Sequence, residues 1–455
     1  MHDEGLSFPN HFLLGAATAA YQVEGAAHED GRTPSIWDTF CRTPGKVRHG
    51  DTGDIACDHY HRLDEDLDLI SALGLRAYRF SIAWPRVMPD GNGKLNQKGL
   101  DFYRRMLDGL NSRHVVPIAT LYHWDLPQKL QDKGGWLSRE TAGRFAEYVS
   151  KMAAAFREDV AFWITVNEPW CSAFAGHLEG RHAPGLTDLG SAVAAAHHLL
   201  LAHGLAVNAL RAADVTGQIG IALNLSDVVP ATSQAADIAA AARVDGYENR
   251  WFLDPLFKAG YPEDMLVWYG QQADLSAIRQ DDFEVIRAPL DFVGINYYER
   301  KVVSQGDGVN GAQRQSPEGP LTAGGLPVRP DGLSHILNRV HSEYTKLPLY
   351  VTENGAAFND YVDPEGGVDD IERIAFLDGH LRSVQAAIQA GIDVRGYFVW
   401  SLMDNLEWAD GYGRRFGIVF VDFRTQTRIP KASAGWYREV IGAGAAVQPP
   451  IRVQR

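Results

Sequence analysis

The chain has 455 residues, 45% of them hydrophobic and 22% charged, with a formal net charge of −14 at pH 7. That composition excludes a wholly disordered chain. The acidic balance argues against nucleic acid or an anionic membrane surface as partner, and leaves a neutral small molecule open.

Taken in order, the first β-rich run is Phe12–Ala19. Its core, FLLGAATAA, imitates a secretory leader, but His2, Asp3 and Glu4 stand where a leader needs basic residues. No run approaches about 18 apolar residues, so no membrane span is expected and the chain reads as cytoplasmic. Cys41, Cys57 and Cys171 are too few and too scattered for a disulfide framework or a zinc site. Further β-rich runs follow at Arg76–Trp84, Val115–His123, Phe162–Asn167, Ile219–Leu225, Phe292–Tyr297, Leu349–Thr352 and Val394–Ser401. Several are apolar almost throughout, as parallel strands covered on both faces are.

Helical periodicity fills the gaps. Phe145, Val149, Met152 and Phe156 share one face; so do Ile374, Leu377, Leu381, Val384 and Ile388, with Gly391 as a stop. Ser304–Gly332, rich in Gly, Pro and polar residues, reads as a long surface loop after the sixth strand. Eight strand–helix alternations at this length predict one (β/α)₈ barrel with extended βα loops, a single domain over residues 1–455.

Two strands end strangely. AFWITVNEPW closes on Asn167-Glu168 before Pro169, and LYVTENGAAF closes on Glu353 before Asn354-Gly355. Either could be bland: a helix start with Pro at its first position, or a turn with a solvated side chain. In a barrel, however, carboxyl ends of strands carry the catalytic groups, and both glutamates face one mouth. Paired carboxyls are what glycosidic cleavage requires, one protonated and one ionised. Arg79, in YRFSIAW, is a candidate to hold Glu353 ionised, and a charged Glu353 keeps Glu168 protonated.

TVNEP and VTENG resemble the two signatures of glycoside hydrolase family 1, the β-glucosidase family. FPNHFLLGAATAAYQVEGA, YRFSIAWPR, LYHWDLP, DFVGINYY and VWSLMDNLEWADGYGRRFGIVFVD are similar to that family's other signatures, so the likeness runs from Phe8 to about Ile441. It is strongest to bacterial intracellular β-glucosidases. The resemblance implies a (β/α)₈ barrel of retaining enzymes with Glu168 as acid/base and Glu353 as nucleophile. Arg79 and Tyr298 would orient the nucleophile, and Asn167 would contact the sugar 2-hydroxyl. Gln22, His123, Glu407 and Trp408 match the residues that bind the glycone, with Trp124 beside them and Trp400 as the platform under the ring. Asn224 and Asn296 match positions near the acid/base. The implied substrate is a terminal non-reducing β-D-glucosyl residue, or a β-galactosyl or β-fucosyl one, of cellobiose, a short oligosaccharide or an aryl or alkyl glycoside. No metal and no organic cofactor is implied.

One departure stands out: Leu326, just before Pro327, replaces a tryptophan that helps the family form its leaving-group site. Two rival functions share the fold. A 6-phospho-β-glucosidase must bind a dianion, where Glu407 repels it, although Arg414 and Arg415 lie nearby in sequence. A non-catalytic sugar-binding barrel has no reason to retain both carboxyls with Arg79, Asn167 and Tyr298. Gly306, Gly308 and Gly311 match a dinucleotide-binding spacing, but no apolar helix follows. His59, His61, His197, His198 and His203 lack the spacing of a helical metal pair, and Asn224-Leu225-Ser226 is a glycosylation sequon only formally.

Overall fold

Runs with no polar face pair as parallel strands and take helices on the outside. In the computed structural model, which describes residues 6–443, all eight predicted runs do this. They are β1 (Leu13–Ala17), β2 (Ala77–Ser81), β3 (Val116–Thr120), β4 (Phe162–Asn167), β5 (Gln218–Asn224), β6 (Phe292–Asn296), β7 (Leu349–Asn354) and β8 (Val394–Trp400). The sheet closes in the order β1-β8-β7-β6-β5-β4-β3-β2, all parallel, giving the (β/α)₈ barrel. His2, Asp3 and Glu4, and both ends of the 1–455 domain reading, lie outside the described residues.

The helix Arg139–Phe156 buries Phe145, Val149, Met152 and Phe156. Ile371–Gln389 buries Leu377, Leu381 and Val384, leaves Ile374 and Ile388 half-buried, and is followed by Gly391 at φ 89°. Among the described residues one helix, Leu189–Ala212, is long and apolar enough to cross a bilayer, with a window of mean hydropathy 1.4; that window is 78% buried inside the protein. Its histidines are packed groups. His197 Nε2 pairs with Asp282 at 2.9 Å, His198 Nδ1 donates to the Trp136 carbonyl at 2.8 Å, and His203 Nδ1 meets Thr165 at 2.6 Å. His59 and His61 likewise hold Asp66 and Asp58.

The stretch Ser304–Gly332 is more ordered than its composition predicts. Arg300–Gln305 pairs antiparallel with Ala312–Arg314 and parallel with Asp227–Pro230. The apolar side of this small sheet explains it: Val303 and Ala312 bury themselves against Ala240, Ala241 and Val244. The Gly306–Gly311 spacing is the turn of that hairpin, with Gly311 at φ 64°.

β7 also runs further than Leu349–Thr352. Asn354 donates to the Tyr297 carbonyl and accepts from the Tyr397 hydroxyl, both at 2.6 Å, so the strand carries Glu353 inside it instead of turning. Gly355 then passes so close to β8 that a Cβ there would stand 1.7 Å from the Trp400 carbonyl oxygen. Gly355→Ala is therefore expected to cost about 3 kcal/mol or more, read as a fall in Tm in thermal unfolding.

Candidate active site

Both glutamates stand where the strand pairing slips. The β4–β5 register shifts between Ile164 and Asn167, and β7 shifts against both neighbours beyond Val351. Such bulges re-aim side chains at barrel rims. Here they leave Glu168 and Glu353 only 5% and 3% exposed. Glu168 is at φ 47°, and Trp124 and Trp408 also have left-handed backbones, at 78° and 47°; such conformations persist only where their surroundings enforce them. The helix-start reading of Glu168-Pro169 is correct for the backbone, since a helix begins at Pro169. The Asn167 side chain, though, turns into the barrel.

One hydrogen-bond chain fixes the orientation of each group. Thr352 Oγ1 donates to Asn296 Oδ1 at 2.6 Å, so the Asn296 amide nitrogen faces the other way. That nitrogen donates to Glu168 Oε1 at 2.8 Å and to Asn167 Oδ1 at 3.0 Å. Asn167 Oδ1 also accepts from Arg79 at 2.6 Å, leaving its Nδ2 to donate to His123 Nε2 at 3.1 Å. His123 is thereby set as the tautomer with its proton on Nδ1. Burial, and then the Arg79 charge, hold the ring's pKa well below the usual histidine value. Arg79 Nη1 donates to Glu353 Oε1 at 2.5 Å, and the Tyr298 hydroxyl donates to Oε2 at 2.8 Å.

Burial raises the pKa of both carboxyls. At Glu353 the Arg79 charge and then the Tyr298 hydroxyl oppose it. At Glu168 the negative Glu353 adds to it, and its pKa is pushed up to about 7. Arg79 thus offsets only part of the desolvation at Glu353. What separates the pair is that Glu353 has the cation and Glu168 has the neighbouring anion.

The predicted sugar-binding side chains gather around this pair. Gln22 Nε2 donates to Asn405 Oδ1 at 2.9 Å and to the Leu406 carbonyl at 2.8 Å, and among the described residues its Oε1 has no partner. Nor has the buried His123 Nδ1 a partner among them. An idle acceptor and an idle donor in a buried site are costly unless a ligand completes them. Glu407 lies 3.5 Å from Gln22 Nε2, and burial, followed by Asp410 and Glu353, raises its pKa to about 8. His123 lies near-parallel to Trp400 and Trp408, with ring centres 5.7 and 5.9 Å away. Trp124 donates its indole N–H to the Asn167 carbonyl at 2.9 Å and packs on Trp408, so it braces the site from behind. Asn224 pairs in register with Asn296, but among the described residues no hydrogen bond joins it to either glutamate. Leu326 is half-buried in a loop closed by its own amide and carbonyl on Thr322.

Four contributors escaped the sequence reading. Thr352 sets the Asn296 amide, and Asn405 holds Gln22. Trp37 supports Trp408, with ring centres 4.5 Å apart. Cys171 lies against Glu168, its thiol donating to Oε2 at 3.1 Å. Only Cys171 left a local signal, three residues beyond the glutamate. The others depend on contacts between segments far apart in the sequence.

A barrel mouth holding two buried carboxyls in opposed environments, two-way hydrogen-bonders and indole faces fits a carbohydrate-cleaving hydrolase. Residues 5–445 match glycosyl hydrolase family 1, and the chain belongs to that family. It is 49% identical to thermostable β-glucosidase B of Thermobispora bispora over 96% of this chain and 91% of that one. It is 45% identical to β-glucosidase A of Acetivibrio thermocellus over 96% and 98%. The structure of a β-glucosidase from Thermotoga maritima in complex with deoxynojirimycin superposes with a TM-score of 0.94 at 46% identity, covering 97% of this chain and all of that one.

Proposed function

We propose that the chain is a retaining, exo-acting β-glucosidase that cleaves terminal β-D-glucosyl residues by double displacement. The observation that carries this is the opposed environment of Glu168 and Glu353. Glu353 attacks the anomeric carbon while Glu168 gives its proton to the leaving oxygen, so the glycosidic bond breaks as the ester forms. The ester removes the charge of Glu353, which was raising the pKa of Glu168. Glu168, now ionised, takes a proton from a water as that water attacks the anomeric carbon; the bond from that carbon to Glu353 breaks, Glu353 leaves as the carboxylate, and the sugar departs with its configuration retained. Asn167 Nδ2 has one partner among the described residues, His123, which leaves its second amide hydrogen for the sugar 2-hydroxyl. Gln22 Oε1, His123 Nδ1–H and Glu407 supply an acceptor, a donor and a group of either kind for the remaining hydroxyls, and Trp400 supplies the flat face. The relatives named β-glucosidases, and the related enzyme bound to deoxynojirimycin, support a small glycoside as partner.

The phospho-glucosidase rival needs a free cation. Glu407 itself repels a phosphate less than its formal charge suggests, because its pKa of about 8 keeps it largely protonated. The nearby cations already have anionic neighbours: Arg415 donates to Asp404 at 2.6 Å, and Arg414 lies 3.5 Å from Asp410 and donates to the Ala323 carbonyl. Three free cysteines, all buried, suit a reducing compartment, and we place the enzyme in the cytoplasm.

The test is p-nitrophenol release from the β-D-glucoside, the β-D-galactoside and the β-D-glucoside 6-phosphate, with chelator present. Release from the unphosphorylated glucoside supports the proposal. Release only from the 6-phosphate overturns it, and no release from any of the three revives a binding protein. The same assay across pH should show kcat/KM falling above about pH 7, because the acid must be protonated in the free enzyme.

A further inference from the structure

We infer that the Cys171 thiol is a positioning residue for Glu168, a built-in donor that holds and tunes the acid/base carboxyl; this rests on the role proposed for Glu168. The two residues are tied twice. The Cys171 amide donates to the Glu168 carbonyl at 2.9 Å, closing the turn through Pro169, and the thiol reaches Glu168 Oε2 at 3.1 Å. Asn296 occupies the other oxygen at 2.8 Å, so each carboxyl oxygen has one donor. Asn296 approaches from β6, across the barrel, and Cys171 approaches from the glutamate's own segment. Cys171 is buried, and burial and the adjacent carboxylate push its pKa well up, so it stays a thiol and a donor.

The chemistry gives this donor a purpose. Glu168 must hold a proton in one half-reaction and release it in the other. Burial and the charge of Glu353 both favour the protonated form, and Arg79 already serves Glu353. A thiol is a weak donor. It stabilises the carboxylate enough to help the proton leave, without fixing Glu168 as permanently ionised as a cation in that place would. The groups that act on Glu168 are Glu353, Asn296, Arg79 and Cys171, with the Tyr298 hydroxyl and the Glu407 carboxyl also within electrostatic reach. Among the described residues, only Asn296 and Cys171 donate hydrogen bonds to its carboxyl.

The test compares Cys171→Val with Cys171→Ser. Valine fills the site with a slightly larger apolar side chain and removes the donor; serine keeps a donor on a smaller side chain. In the valine variant the basic limb of kcat/KM should move up by about half a pH unit. Hydrolysis of an alkyl glucoside should slow several-fold more than that of an activated aryl glucoside. Serine should restore part of both effects. If valine leaves the limb and the leaving-group dependence unchanged, or if serine is the more damaging, the thiol only fills space and the inference is wrong. Glu168→Gln is the control: if the basic limb of the unaltered enzyme survives it, the assignment of Glu168 fails instead. Should the valine variant not fold, the S–H infrared stretch of the unaltered protein decides. It should shift as Glu168 titrates, and a stretch that does not move refutes the hydrogen bond.

Discussion

Glu353→Gly is expected to lower kcat on β-glucosides by about 10⁵-fold or more while leaving the protein folded. The size follows from losing the group that forms the covalent intermediate. The fold should survive because Arg79 retains three partners: Thr120 Oγ1 at 3.2 Å, the Thr352 carbonyl at 3.1 Å and Asn167 Oδ1 at 2.6 Å. The space left by the carboxyl faces that guanidinium and suits a small anion. With an activated aryl glucoside, azide should enter there and attack from the side Glu353 occupied, giving the α-glucosyl azide. Product analysis by NMR checks it, and a β-azide would contradict the role of Glu353.

Glu168→Gln is expected to be nearly as severe, but only where the proton matters. On an alkyl glucoside or cellobiose the loss in kcat/KM should be about 10²–10⁴-fold, the usual worth of a positioned general acid. On an activated aryl glucoside, whose leaving group departs as an anion, kcat/KM should change little. Glutamine preserves the hydrogen bond from Asn296 only through its oxygen, so the comparison isolates the proton more than the geometry. Equal losses on both substrates would show that Glu168 is not the acid. The basic limb near pH 7 should also vanish in this variant.

The barrel was legible in the sequence because a strand buried on both faces must be apolar throughout, and eight such runs alternate with helices. The hairpin within Ser304–Gly332 was not, because composition alone hid the few apolar contacts of Val303 and Ala312 that order it. The two glutamates were legible because an ionisable group at the end of an apolar strand is costly without a purpose. Their protonation was only partly so. Sequence pairs Arg79 with Glu353, but the burial that raises both carboxyls and separates their roles exists only once the mouth is assembled. The same holds for the orientation of Asn296, which rests on Thr352 from the neighbouring strand. The bulge that places Glu353 opposite Asn296 leaves no trace in a string of residues, since it is a property of pairing.

Double displacement by Glu168 and Glu353 is tested by following hydrolysis of p-nitrophenyl β-D-glucoside by proton NMR before mutarotation sets in. β-Glucose is expected as the first product, with the α anomer growing in later, and carboxyls roughly 5–5.5 Å apart. α-Glucose appearing first would mean inversion, with Glu353 activating water instead of attacking carbon, and would contradict it.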